Sequence, residues 1–488
     1  MQRCLVTSHD RAQLFAKHFG FCLLGRRPTP VPSPIHGPLV RLRNTPISEH
    51  PAPEHHPTSR RRLRACHECD WVMALPPLQP GQQACCIRCG GVLAKRNSLP
   101  VQRCLALAVS ASIALIAAIS FPFIRFSVRG IGNQIEVTQT ATEMLAQHQP
   151  IVALMVLMAV FVLPALYLMA AIWVQISLLL PHRLPWSRTI ARMLGHITPW
   201  MMADVFIVGT MVSLIKIAGL AEVSLGVSFW AFIAYALLLL ATTLSLDSDW
   251  LWFSLSGGEP SAPEGIHTGA TAASQNLAGC HTCGLIGRLD EHGHGSCERC
   301  GEKLHARKPR SLQYSWALLL TAAVLYIPAN LYPIMYTTSL GSSDPNTIIG
   351  GVIYLASHGS WPVAIVIFVA SVLVPIGKML ALAWLCLVAP RAPGMRSSTR
   401  TRLYRLTEFI GRWSMVDVFV VAILTALIRA GALMSVSPGP AALAFACVVI
   451  LTMVAAMCFD PRLLWDEVSS AKIKGSDASI YDNQGRTP

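Results

Sequence analysis

WMMADVFIVGTMVSLIK from Trp200 and WSMVDVFVVAILTALIR from Trp413 are one segment written twice. At a shift of 213 residues Asp204 aligns with Asp417 and Lys216 with Arg429. Between those polar ends each copy is apolar around its whole circumference, as a helix must be to stand in lipid rather than on a soluble core. The match continues outward. LDSDWLW from Leu246 pairs with FDPRLLW from Phe459, aligning Asp247 with Asp460 and Trp252 with Trp465, and Pro164 upstream pairs with Pro375. The shift stays between 211 and 214 residues, so the chain is two tandem copies of one unit.

A membrane helix needs about 20 mostly apolar residues. Eight stretches qualify, near 104–124, 151–180, 197–220, 227–251, 314–336, 361–389, 413–435 and 440–460. The composition agrees: 53% of the 488 residues are hydrophobic and 13% charged, where a soluble domain carries about 25% charged. That disfavours a soluble enzyme, and the hydrophobicity disfavours a disordered chain. The first long apolar run begins near Cys104, so no secretory signal is expected.

The net charge of +14 raises the alternative of a nucleic-acid partner. Its location answers the question. Residues 1–65 hold eleven basic and three acidic side chains, and the short connections 181–196 and 389–412 add +3 and +5. Everything else nets to −2. The excess is therefore a basic tail plus the Lys/Arg bias of inward-facing loops, carried by Arg183, Arg188, Arg192 and by Arg391, Arg396, Arg400, Arg402, Arg405 and Arg412. The opposite connections, 125–150 and 337–360, carry little net charge. Both termini and the 252–313 segment are expected in the cytoplasm, and no nucleic-acid partner is expected.

Each copy opens with paired Cys-x2-Cys knuckles: CHEC and CIRC (Cys66, Cys69, Cys86, Cys89), then CHTC and CERC (Cys280, Cys283, Cys297, Cys300). Two such knuckles complete a tetrahedral four-sulfur site with no open position, which reads as structural zinc. Iron or a thiol redox switch are the alternatives, and a cytoplasmic setting argues against resting disulfides. Gly90 and Gly301 follow the second knuckles, where a positive φ is cheap for glycine. Cys85, beside Cys86, is a spare thiol, and His67 and His281 inside the first knuckles read as exposed side chains rather than ligands. The expected organisation is an all-α polytopic protein. It comprises a basic tail (1–65), a zinc-ribbon-like module (66–97), four membrane helices (98–252), a linker (253–279), a second module (280–309), four more helices (310–465) and a terminal tail (466–488).

Ionisable groups inside spans are costly and usually face the bundle interior. Lys378 and Asp417 stand at similar depth in neighbouring spans of the second copy. Ser371 shares a helical face with Lys378, Ser414 shares one with Asp417, and Thr452 lies at a comparable level. These five make a candidate polar cluster. The blander alternative has Asp417 at its helix start and Lys378 reaching to the interface. The first copy keeps Asp204 but has Tyr167, Val160 and Met201 where the second has Lys378, Ser371 and Ser414. Any working cluster belongs to the second copy.

With YIPANLYPIM from Tyr326 and TIIGGVIYLASHGSWPVAIVIFVASVLVPIGKMLAL from Thr347 added to the duplicated knuckles, the chain resembles the paraquat-inducible protein A family of Gram-negative inner membranes. The resemblance covers roughly 64–468 and departs in the first copy, where AISFPFIRF replaces the PAN motif. It implies intermembrane transport of phospholipid together with a periplasmic mammalian-cell-entry-domain protein. It also implies a polar, proton-responsive network at Ser371, Lys378, Ser414, Asp417 and Thr452. No phosphate-binding loop is present, and no nucleophile–base constellation or open metal site suggests an enzyme. A redox- or metal-sensing scaffold, anchored by its spans, is the alternative reading.

Overall fold

The structure is a computed structural model that describes residues 62–128, 131–147, 149–217, 222–260, 263, 265–339, 342–357, 359, 361–389, 397–427 and 434–466. Nearly all of the basic tail, nearly all of the 466–488 tail, and Arg391 and Arg396 lie outside the described residues.

In each half the first and fourth spans form an antiparallel pair, Pro100–Ser120 with Val227–Ser245 and Ser311–Leu331 with Pro440–Cys458. The same two devices hold the ends of both pairs. At one end Gly226 N donates to Phe123 O at 3.0 Å, and Gly439 N to Ile334 O at 2.8 Å. A Cβ on either glycine would lie 2.1 Å from the carbonyl oxygen of Pro122 or Pro333. At the other end an aspartate receives the backbone that enters the first span. Asp247 accepts from Asn97 N at 3.3 Å and Asp460 from Lys308 N at 3.0 Å. Each also caps the short helix that follows, through Trp250 N and Arg462 N.

The second spans carry a matching irregularity. A π-turn occupies Met158–Val162 in one and Val369–Leu373 in the other. Pro164 and Pro375 lie two residues beyond. Proline brings no N–H and crowds the carbonyl four residues back, so the helix widens there. In the first half the Tyr235 hydroxyl donates to that carbonyl, Val160 O, at 3.3 Å.

The halves meet through their third spans, Ala203–Ile217 and Val416–Leu427. Phe206 faces its own repeat counterpart Phe419 with ring centroids 5.6 Å apart. Gly209 leaves the room, since a Cβ there would come within 3.0 Å of Phe419 Cβ. His67 likewise stacks on its counterpart His281 at 5.1 Å. Residues that meet their own equivalents mark a two-fold relation, and parallel repeats place that axis along the spans.

Among the described residues seven helices are long and apolar enough to cross a membrane. The remaining expected span, 413–435, is described as the helix Val416–Leu427, and residues 428–433 lie outside the described residues. One expectation needs revision. The all-α reading missed two small sheets. Strand Ile124–Val128 lies between Ile131–Ile135 and Glu222–Leu225, and Met335–Ser339 lies between Ser342–Asn346 and Met434–Pro438. Each pairs a local hairpin with a strand far along the chain, a non-local contact that periodicity does not report.

Gly439→Ala should force the first and fourth spans apart at that end. An overpacked core of this kind costs about 1–3 kcal/mol. Thermal unfolding of the detergent-solubilised chain should show a lowered Tm, and an unchanged Tm would contradict the packing.

Candidate functional site

The knuckles fold as short hairpins whose turns end in a left-handed residue: Asp70 (φ 60°), Gly90 (73°), Gly284 (74°) and Gly301 (74°). The expectation for Gly90 and Gly301 is met, and Asp70 supplies the same conformation where glycine is absent. Each turn closes by a backbone bond to the first cysteine of its knuckle, such as Gly90 N to Cys86 O at 2.9 Å. The eight expected sulfurs converge in two sets, each with all four atoms within 4.8 Å of one another. Cys66 and Cys89 are 3.4 Å apart, Cys69 and Cys86 3.5 Å, Cys280 and Cys300 3.4 Å, and Cys283 and Cys297 3.3 Å. A cation bound ~2.3 Å from each corner of a regular tetrahedron sets the corners about 3.8 Å apart. The residues therefore fit a four-thiolate metal ion at each site. Sulfur neighbours push the Cys69 and Cys283 thiols far up and pull Cys86 and Cys297 far down, so some thiols hold protons that a cation would displace. Cys86, not Cys85, completes the first set.

The modules cross between halves. Cys66, Cys69 and Cys86 share an apolar cluster with Leu385, Tyr404, Phe459 and Trp465 of the second half. Cys280, Cys283, Cys297 and Cys300 join the cluster of Leu251, Trp252 and Leu255 at the end of the first. Arg62 and Arg64 of the first module pair with Asp249 and Glu259 at the end of the first half, while two further ion pairs follow the crossing. Glu68, inside the first knuckle, takes both Nε (2.7 Å) and Nη2 of Arg405, which also donates to Cys89 O at 3.1 Å. Asp70 pairs with Arg307 at 3.0 Å. The Arg88 guanidinium lies 4.7 Å from the Trp71 ring centre and 4.5 Å from that of Trp465. Burial alone would lower the Arg405 pKa, but its bonds and charge contact with Glu68 outweigh that and raise it. Sequence spacing gave no hint of these partners, because both signs are scattered across 337 residues.

Of the five polar candidates in the second half, Lys378 and Thr452 meet directly. Lys378 Nζ donates to Thr452 Oγ1 at 3.1 Å, and the lysine is only 3% exposed. Ser371, in the π-turn, and Ser414 are buried at 2% and 3%. Asp417 is half-buried in the first turn of its helix, where the backbone dipole favours a carboxylate. It lies within electrostatic reach of Tyr326.

Lys378 does not reach along a lipid-facing surface. Its ammonium lies against Gly411, where a Cβ would be 2.9 Å away. Gly411 belongs to the helix Ser397–Trp413, which precedes the third span. Here a cavity of about 450 Å³ opens, with Lys378, Arg405, Glu408 and Arg412 among its polar lining residues and Phe409 and Met453 among its apolar ones. Burial lifts the Glu408 carboxyl above its usual range. Glu68 and Val92 of the first module and Pro199 of the first half also line it. The cavity thus joins the buried lysine, the first cysteine module and both halves. Two of the basic loop residues, Arg405 and Arg412, legible only as topology signals, turn out to line it.

The family model described as paraquat-inducible protein A matches residues 101–256 and 312–469, the two membrane halves without their cysteine modules. Intermembrane transport protein PqiA of Escherichia coli (strain K12) is 41% identical over 414 residues, covering 85% of this chain and 97% of that protein. Lipophilic envelope-spanning tunnel protein A of the same organism is 31% identical, covering 86% and 94%. A probable intermembrane transport protein of Haemophilus influenzae (strain ATCC 51907 / DSM 11121 / KW20 / Rd) is 28% identical, covering 83% and 96%. No solved structure matches the chain.

Elemental analysis of the purified chain should find about two metal ions per molecule, one for each four-thiolate set. Cys69→Ser should leave one. Retention of both ions in that variant would contradict the ligand assignment.

Proposed function

The chain belongs to the paraquat-inducible protein A family, and from that premise we propose that it is the inner-membrane subunit of an intermembrane phospholipid transport system. Both termini lie in the cytoplasm, each half contributes four spans, and zinc fills the two cysteine sets as a structural ion. The domain boundaries are those read from the sequence. Lipid passes between the inner membrane and a periplasmic mammalian-cell-entry-domain tunnel. Catalysis has no part in this reading.

The observation that carries it is the Lys378–Thr452 pair at a cavity lined by both charged and apolar side chains. A buried ammonium with one hydroxyl partner retains donor capacity, and a phosphodiester headgroup matches it while acyl chains suit Phe409 and Met453. Arg412 adds a second cation beside it. Ser371, Ser414 and Asp417 extend the polar network along the neighbouring spans and relay protons as lipid enters and leaves. The names of the relatives support the transport half of this reading. The first half, with Tyr167 in place of Lys378, acts as scaffold.

Lys378→Met keeps volume and removes charge. A lost hydrogen bond to a charged group costs about 1.5–3 kcal/mol, roughly ten- to a hundredfold in occupancy. Lipid transfer between inner-membrane-like and acceptor vesicles should fall by that order while metal content stays at two. Gly411→Val, which fills the cavity, should have the same effect. Unaltered transfer in both variants would refute the reading.

A further inference from the structure

The second cysteine module carries a pair of side chains that neither the metal sets nor the membrane cavity uses. His294 and His305 stand directly opposite each other on the antiparallel strands His294–Ser296 and Lys303–His305. Their Nδ1 atoms are 2.8 Å apart, and the rings meet edge to face at 90°. His294 is exposed and His305 half-buried, so solvent reaches the pair. The hairpin is fixed from both sides. Cys297 and Cys300, on the knuckle between these strands, belong to the second metal set. At the other end Asp290 Oδ1 accepts from His292 N at 3.1 Å and His294 N at 2.7 Å, and Gly293 turns the chain with φ +76°.

A water-exposed hydrogen bond between neutral imidazoles is worth little, since water competes for both rings. A cation makes more of the arrangement, because imidazole nitrogen is a first-rank ligand for divalent transition metals. The separation is compatible with chelation. Two nitrogens bound at ~2.0–2.1 Å stand about 2.9 Å apart in adjacent positions of a square or octahedron, and about 3.4 Å apart in a tetrahedron. At 2.8 Å, the length of an N–H···N hydrogen bond, the two Nδ1 atoms stand nearer the former spacing. Asp290 adds favourable charge next to the pair, its carboxyl held below the usual range chiefly by the His294 N–H. The corresponding strand pair of the first module has Gln83 opposite Lys95, which cannot make this site.

We propose that His294 and His305 form an accessory divalent-metal site of the nickel–copper type, distinct from the two four-thiolate sets. It takes its cation through two Nδ1 atoms in adjacent coordination positions and leaves the remaining positions to water or a small anion. A bound ion ties together the strands that flank the second knuckle. Ligation is reversible and needs no redox step, so nickel is the probe.

The test uses the full zinc-loaded chain in detergent, with His55→Asn and His56→Asn as background so that the adjacent histidines of the tail do not compete. Calorimetric titration with Ni2+ should show a site that weakens at least about tenfold, ~1.4 kcal/mol, in both His294→Asn and His305→Asn. Two zinc ions should be retained. Equal Ni2+ affinity in either variant overturns the proposal. Should a variant lose zinc, the parent chain decides: with one equivalent of Cu2+, its electron paramagnetic resonance should report two equatorial imidazole nitrogens. One or none overturns it.

Discussion

The approach of the two third spans is the constraint on which the rest of the molecule depends. Phe206 meets Phe419 at 5.6 Å because Gly209 carries no side chain to hold the helices apart, and Ser213 Oγ lies 3.4 Å from Val420 O on the same seam. Lipid tails are as apolar as these side chains, so close packing and small residues hold such helices together rather than water exclusion. Once the seam is made, the two-fold relation brings His67 to His281. It also carries the first module over the second half, so that Glu68 reaches Arg405. The cavity at Lys378 is therefore a product of the seam as much as of its own helix.

Symmetry of the frame coexists with asymmetry of the contents. Both halves keep the glycine against a proline carbonyl, the aspartate under the first span and the widened turn before a proline. These are backbone solutions, and a duplicated chain keeps them for stability. The side chains lining the second spans differ. Tyr167, 1% exposed, fills the level where Lys378 faces a cavity. Tyr235 occupies the widened turn of the first half, and its repeat counterpart Val448 has no hydroxyl to offer. One half is packed shut with aromatic volume; the other is left polar.

Much of this was legible in the sequence, and what was not has a physical reason. Apolar length marked the spans, the duplication gave their order, and Cys-x2-Cys spacing chose all eight sulfurs, because each signal is local. Lys378 and Thr452 were placed at one depth by counting turns, and they touch. Three things were hidden. The outer sheets need Glu222–Leu225 and Met434–Pro438, strands too short to announce themselves. His67 and His281 read as exposed side chains, and the sequence did not show their contact, because it is with each other across the axis. Arg405 and Arg412 read only as topology markers, since a positive charge in a loop looks the same whether it faces water or closes a cavity.

The crossing of the modules also sets an order of assembly. Residues 62–95 leave the ribosome before any span; Asp249 and Glu259, which pair with Arg62 and Arg64, follow midway, and Arg307, Arg405 and Trp465 are among the later partners made. Arg405 follows Glu68 by 337 residues. At translation rates of about 5–20 residues per second that is a wait of tens of seconds. Until then the first module has its own two hairpins and, once Asp249 and Glu259 are made, their ion pairs with Arg62 and Arg64. A four-thiolate ion suits that interval, since its binding energy is local to the module and needs no partner surface. An ion held by the four cysteines would keep this docking piece in its final shape until the last spans arrive to receive it.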